Sequence, residues 1–117
     1  MIDRFETAIC GVCGRSAVGF GYCSNPGHQG SKILWICDDA ECIKIARDTY
    51  EMKQDDFTRL ESLASGKGLE AGGAFLDEIK KTNLADLTKD EWFEFGRRII
   101  AGYRRALKED LKDCAPF

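Results

Sequence analysis

Cys37-Asp38-Asp39-Ala40-Glu41-Cys42 joins a strand to a helix and carries a thiol on each side of the junction. The apolar run Lys32-Ile33-Leu34-Trp35-Ile36 leads into it with the length of a short strand. A helix is predicted to begin near Asp39 or Ala40, where Asp38 or Asp39 can cap its free amides. Cys37 then ends the strand and Cys42 falls in the first helical turn, where the helix N-terminus favours thiolate. Upstream, Cys10-Gly11-Val12-Cys13-Gly14-Arg15 is a knuckle. Two cysteines three positions apart let a tight turn aim both sulfurs at one ion, and Gly14 permits the backbone to curl. Between the pairs, Val18, Phe20 and Tyr22 alternate with Gly19 and Gly21 at the period of a half-buried strand, and Asn25-Pro26-Gly27 is a turn signal. A hairpin with a long, Gly-rich tip follows from these features.

A knuckle, a hairpin and a strand-to-helix turn carrying two more ligands form the layout of a treble-clef or zinc-ribbon-like site. Cys10, Cys13, Cys37 and Cys42 are the expected ligands of a structural Zn²⁺, because four thiolates favour tetrahedral zinc and leave no open position for substrate. Cys23 and His28 lie in the hairpin tip, and either can replace one ligand to give a Cys₃His site; the alternative is a loop thiol and a solvated imidazole. Cys114, far along the chain, reads as a spare or packing thiol. Met1 to Thr7 lack the apolar stretch of a signal peptide, and no window approaches the roughly 18 apolar residues of a membrane span. The expectation is a soluble cytoplasmic protein with no membrane contact, in which clustered cysteines bind metal rather than form disulfides.

Beyond Cys42 the pattern is helical. Ile43, Ala46, Tyr50, Phe57, Leu60 and Ala64 recur at helical spacing, which predicts one helix from about 40 to 64, stopped by Ser65-Gly66-Lys67-Gly68. A second helix is predicted over Leu69 to Lys81, with Gly72 and Gly73 inside it. Thr88-Lys89-Asp90-Glu91 matches a capping box and opens a third helix to about Lys112. On that helix Trp92, Phe93, Phe95, Ile99, Ile100, Tyr103, Leu107 and Leu111 occupy one broad apolar arc, read as core. Arg97, Arg98, Arg104, Arg105, Lys108 and Lys112 fall within roughly 120° on another side. This basic stripe is either a solvated face or a contact for phosphates or an acidic protein surface.

A chain of 117 residues fits one domain, with a zinc-binding β part over 1–42 and a helical part over 43–117 sharing its core. The fold class is α+β, a β-hairpin followed by about three helices. A net charge of −3 argues against a protein coated in basic charge. With one histidine and no nucleophile–base pair or phosphate-cradling loop, the chain is not expected to be an enzyme or to take a small-molecule substrate.

Ile9-Cys10-Gly11-Val12-Cys13-Gly14-Arg15, Val18-Gly19-Phe20-Gly21-Tyr22, Trp35-Ile36-Cys37-Asp38-Asp39 with Cys42, Phe75 to Ile79, and Glu91-Trp92 through Gly102-Tyr103-Arg104 together carry a resemblance. The chain resembles a family of small cysteine-rich proteins encoded by phages and prophages of proteobacteria. That family brings no activity and no catalytic residues with it; the resemblance implies a phage setting. The functional expectation is a non-enzymatic zinc-stabilised binding protein with a macromolecular partner. The partner is either a host protein complex, as for an anti-defence inhibitor, or DNA or RNA held by the basic stripe.

Overall fold

A computed structural model describes residues 3–24, 27 and 30–114. Strand β1 (Phe20–Tyr22) pairs antiparallel with β2 (Leu34–Ile36), in the register Phe20 to Ile36, Gly21 to Trp35 and Tyr22 to Leu34. Three helices follow, α1 (Ala40–Thr49), α2 (Gln54–Ile79) and α3 (Lys89–Cys114), with a 3₁₀ turn at Leu84–Asp86. The architecture is α+β, as the residue pattern predicts. The molecule is elongated, 55 × 25 × 23 Å. Knuckle, hairpin and α1 form a head at one end, and the antiparallel pair α2–α3 runs out from it.

The main core lies in the head. Val12, Leu34, Ile36, Ile45, Ala46, Met52, Phe57 and Leu60 are buried with Leu107 and Leu111 of α3. On the hairpin this burial comes from β2. Val18 and Phe20 are more than half exposed, because β1 is the outer strand of a two-stranded sheet. Tyr22 packs edge-on against Tyr50, ring centroids 5.5 Å apart. Ile43, expected on the buried face of the first helix, is exposed.

The helix expected over 40–64 is broken, and the stop expected at 65–68 does not occur. α1 ends at Thr49 and α2 runs unbroken from Gln54 to Ile79. No Gly or Pro explains the break at Tyr50-Glu51-Met52-Lys53; Arg4 does. Its buried guanidinium donates to the carbonyl oxygens of Thr49 and Met52 at 2.8 and 3.1 Å, and to Thr49 Oγ1 at 3.3 Å. Those carbonyls would otherwise accept the next turn of a continuous helix. The Arg4 backbone amide donates to Gln54 Oε1 at 3.0 Å, and the guanidinium lies 5.1 Å from the Phe57 ring centroid. Burial lowers the Arg4 pKa to about 10, so it stays charged at neutral pH.

The glycines inside α2 serve packing rather than termination. A Cβ on Gly68 would lie 2.6 Å from the Ile99 carbonyl oxygen, and one on Gly72 would lie 2.6 Å from Ile99 Cγ1. On the facing helix a Cβ on Gly102 would meet that of Ala71 at 2.9 Å. The two backbones can approach this closely only without side chains at the crossing. That packing offsets the roughly 1 kcal/mol helix cost of each glycine. Tyr103 Oη donates to Glu61 Oε2 at 3.2 Å across the same interface. Arg4 Nε and Glu61 Oε1 border a shared cavity of about 30 Å³, a volume that holds one water. The capping box forms as read: Glu91 N donates to Thr88 Oγ1 at 3.2 Å and Thr88 N to Glu91 Oε1 at 2.9 Å.

Two substitutions separate these effects. Gly68→Ala should destabilise by about 1–3 kcal/mol, because its methyl meets backbone that cannot swing aside. Gly66→Ala, two residues away and facing open space, should stabilise by about 0.5–1 kcal/mol. Arg4→Met should cost more than about 2 kcal/mol, since it strands the Met52 carbonyl and leaves the Thr49 carbonyl only its bond from Met52 N. Urea unfolding of the three variants checks this order.

Candidate metal centre

Each cysteine pair is placed by local backbone chemistry. In the knuckle, Cys10 N donates to the Arg15 carbonyl at 2.7 Å and Gly14 N to the Cys10 carbonyl at 3.1 Å. Gly14 takes φ +81°, the left-handed conformation glycine adopts at no steric cost. An isolated bridge pairs Ile9 with Ser16 and closes the loop. Gly11 N then donates to the Trp35 carbonyl at 2.8 Å, which docks the knuckle on β2. This approach also requires glycine, because a Cβ on Gly11 would sit 2.6 Å from the Arg4 carbonyl oxygen. Cys37 follows β2 directly. Asp39 caps α1, accepting from Glu41 N at 2.9 Å, and this orients the first turn that carries Cys42.

The result is a buried cluster of Cys10, Cys13, Cys37 and Cys42, with all four sulfurs within 4.8 Å of one another. Cys13 and Cys37 sulfurs are 3.8 Å apart. A tetrahedral metal with sulfur bonds of about 2.3 Å has sulfur–sulfur edges of about 3.8 Å, whereas a disulfide needs about 2.05 Å. The spacing therefore fits a metal ion and not a disulfide between these two residues. The thiol chemistry agrees. Hydrogen bonds from the Cys13 and Cys42 thiols hold the Cys10 pKa far down. The Cys10 thiolate in turn pushes Cys13 up to about 11 and Cys42 well above the ordinary thiol range, with burial adding to both. A cation at the centre would favour the thiolate form at all four positions.

The basic stripe of α3 is divided by its neighbours. Lys108 Nζ lies 2.8 Å from Asp39 Oδ2 and 3.6 Å from Glu41 Oε1, and Lys112 Nζ lies 2.7 Å from Glu41 Oε1. Asp39 holds the Lys108 ammonium above its ordinary range, and Lys108 holds Asp39 below its own. These pairs clamp α3 to the start of α1 beside Cys42. Arg97 and Arg98 both pair with Glu94, at 2.9 and 2.8 Å, and Arg98 also reaches Glu78 at 3.1 Å. Among the described residues Arg104 and Arg105 make no ion pair, and with Arg15 they line a cleft beside Cys13. The six residues thus form two engaged pairs with two free arginines between them.

Cys23 lies beside Tyr50 and outside the four-sulfur cluster, while His28 lies outside the described residues. Cys114 is half-buried against the core at the end of α3. Sequence reasoning did not anticipate Arg4, whose partners lie 45 and 48 positions away, or the clamp of Asp39 and Glu41 to Lys108 and Lys112. The clamp left a trace, an acidic first turn on α1 and basic residues near the end of α3.

Among the described residues no helix is long and apolar enough to cross a membrane. Comparison with protein-family models, curated proteins and solved structures returns no match for the chain.

Metal content should be one ion per chain by elemental analysis, and Cys10→Ser or Cys37→Ser should abolish it and melt the head, read by circular dichroism. Because each thiol must lose its proton to ligate, apparent metal affinity should fall steeply as pH drops from 8 toward 6, measured by chelator competition.

Proposed function

We propose that this chain is a non-enzymatic, zinc-stabilised binding protein of phage type, in which a treble-clef-like head anchors a helical hairpin that contacts a macromolecular partner. Zinc is the metal that four thiolates in a closed, buried shell favour, and such a shell leaves no position for substrate. The treble-clef reading rests on ligand placement: two in a knuckle, one at a strand end and one in the first turn of the following helix. The phage setting comes from the sequence resemblance.

One observation carries the binding role. From Lys89 to Ala101 no residue of α3 is buried. The arc that was read as core is core only in its second half. Leu107 and Leu111 are covered by the head, whereas Ile100 and Phe93, on the same helical stripe, are about half exposed, as is Trp92. The aromatic residues face outward because the head ends before reaching them. An apolar face of this kind on a charged helical hairpin marks a contact surface for protein. A host protein complex is the favoured partner class, consistent with an anti-defence role in a phage setting. The nucleic-acid reading is reduced to Arg104 and Arg105, since the other four basic residues are engaged within the chain.

A tagged pull-down from host lysate, with and without nuclease, tests this reading. The expected result is a defined protein complex that survives nuclease treatment, is lost with Ile100→Glu and is retained with Arg104→Glu/Arg105→Glu. Loss of all bound protein on nuclease digestion, or with the arginine variant alone, would favour nucleic acid instead. Iron rather than zinc in the purified protein would overturn the metal assignment.

A further inference from the structure

We infer that the exposed face of the α2–α3 hairpin pairs with a second copy of this chain, giving a two-fold four-helix bundle with a metal head at each end. The inference rests on the reading of this face as a protein-docking surface and assigns its occupant, a second copy of this chain, with the host contact then made by the assembled dimer.

The face has the relief a self-complementary interface needs. At its outer end Trp92 and Phe93 protrude, each 50% exposed, with Trp92 stacked on Phe95 at 5.9 Å. Toward the head lies a shallow, open depression lined by Ser65, Leu69, Ile99, Ile100 and Tyr103. Ile99 and Ile100 line both this recess and the aromatic groove beside Gly96, so the two are continuous. From residue 92 to residue 103 of a helix is about 17 Å. A two-fold axis passing between these points sets the aromatics of each copy over the recess of the other, which is the condition for an isologous contact.

Area and charge agree with that occupant. Trp92 and Phe93 at half exposure leave roughly 100 Å² each, and Leu69 and Ile100, at 63% and 49%, together bring the apolar total to on the order of 300–400 Å². Half-buried Ile99 and Tyr103 add to it. A standard dimer buries about 800 Å² per partner, of which about 65% is apolar in homodimers. The face supplies most of that requirement. Among the described residues Arg97 is the only charged one lining the recess or the groove, and Glu94 at 2.9 Å neutralises it; Lys89 stands at the outer edge, its Nζ 5.7 Å from the Phe93 ring centroid. Two antiparallel helices otherwise lack a second layer along their outer half, and a four-helix bundle supplies one.

The test is the mass in solution of the full, metal-loaded chain by light scattering, from low-micromolar to sub-millimolar concentration. The wild type should approach twice 13.1 kDa, and Ile100→Glu should fall to 13.1 kDa with metal content and helicity unchanged. Leu63→Glu is the control. Leu63 is also more than half exposed but lies about 120° round α2 from Leu69 and lines neither the recess nor the groove, so its substitution should leave the dimer intact. A wild type of 13.1 kDa at every concentration, or a dimer that Leu63→Glu breaks and Ile100→Glu does not, would overturn the proposal. A monomeric wild type that still loses lysate capture with Ile100→Glu refutes the second copy and keeps the docking face. A dimer dissolved by Ile100→Glu with capture unchanged confirms the pairing and places the host contact elsewhere.

Discussion

Four sulfurs held within 4.8 Å inside a buried pocket are the constraint on which the head depends. Two strands of three residues and a ten-residue helix bury too little apolar surface to hold together alone. Gly11 on Trp35 and the Asp39 cap bring the ligands close, but a cluster of thiols opposes its own ionisation. A cation that accepts all four thiolates turns that opposition into cross-linking of knuckle, hairpin and α1. Metal binding and folding of this end are then one event.

Most of the charge on α3 is engaged within the chain. A divalent ion held by four thiolates would carry about −2 by counting charges. Lys108 and Lys112 stand beside it, already tied to Asp39 and Glu41, so the second half of α3 docks on the metal end by ion pairs as well as by Leu107 and Leu111. Arg97 and Arg98 are held by glutamates of their own hairpin. A stripe that reads as an electrostatic contact surface is mostly internal wiring, and surface ion pairs of this kind add little stability while consuming the charge.

The hairpin is built for close approach and unfinished coverage. Gly68, Gly72 and Gly102 let α2 and α3, 26 residues each, cross nearly backbone to backbone. The head covers only the half of α3 nearest to it. The exposed apolar face beyond the head follows from that mismatch between a long apolar stripe and a short head.

Local chemistry was legible in the residues themselves. The C-x-x-C knuckle, the capped turn before Cys42, the hairpin and the Thr88–Glu91 box each depend on neighbours within a few positions, so spacing and residue type suffice to find them. The grouping of Cys10, Cys13, Cys37 and Cys42 followed from the same rules. What depended on distant partners was not legible. A helical period continues through Tyr50 to Lys53, and the break there draws on Arg4, 45 residues upstream of Thr49, which donates to the Thr49 and Met52 carbonyls. Gly66 and Gly68 look like a stop because glycine disfavours helix, and only the approach of Ile99 shows that Gly68 has a packing role. Periodicity assigned Trp92, Phe93 and Ile100 to an apolar face correctly. Whether that face is core or surface depends on how far another part of the chain extends over it, and that is a property of the tertiary structure alone.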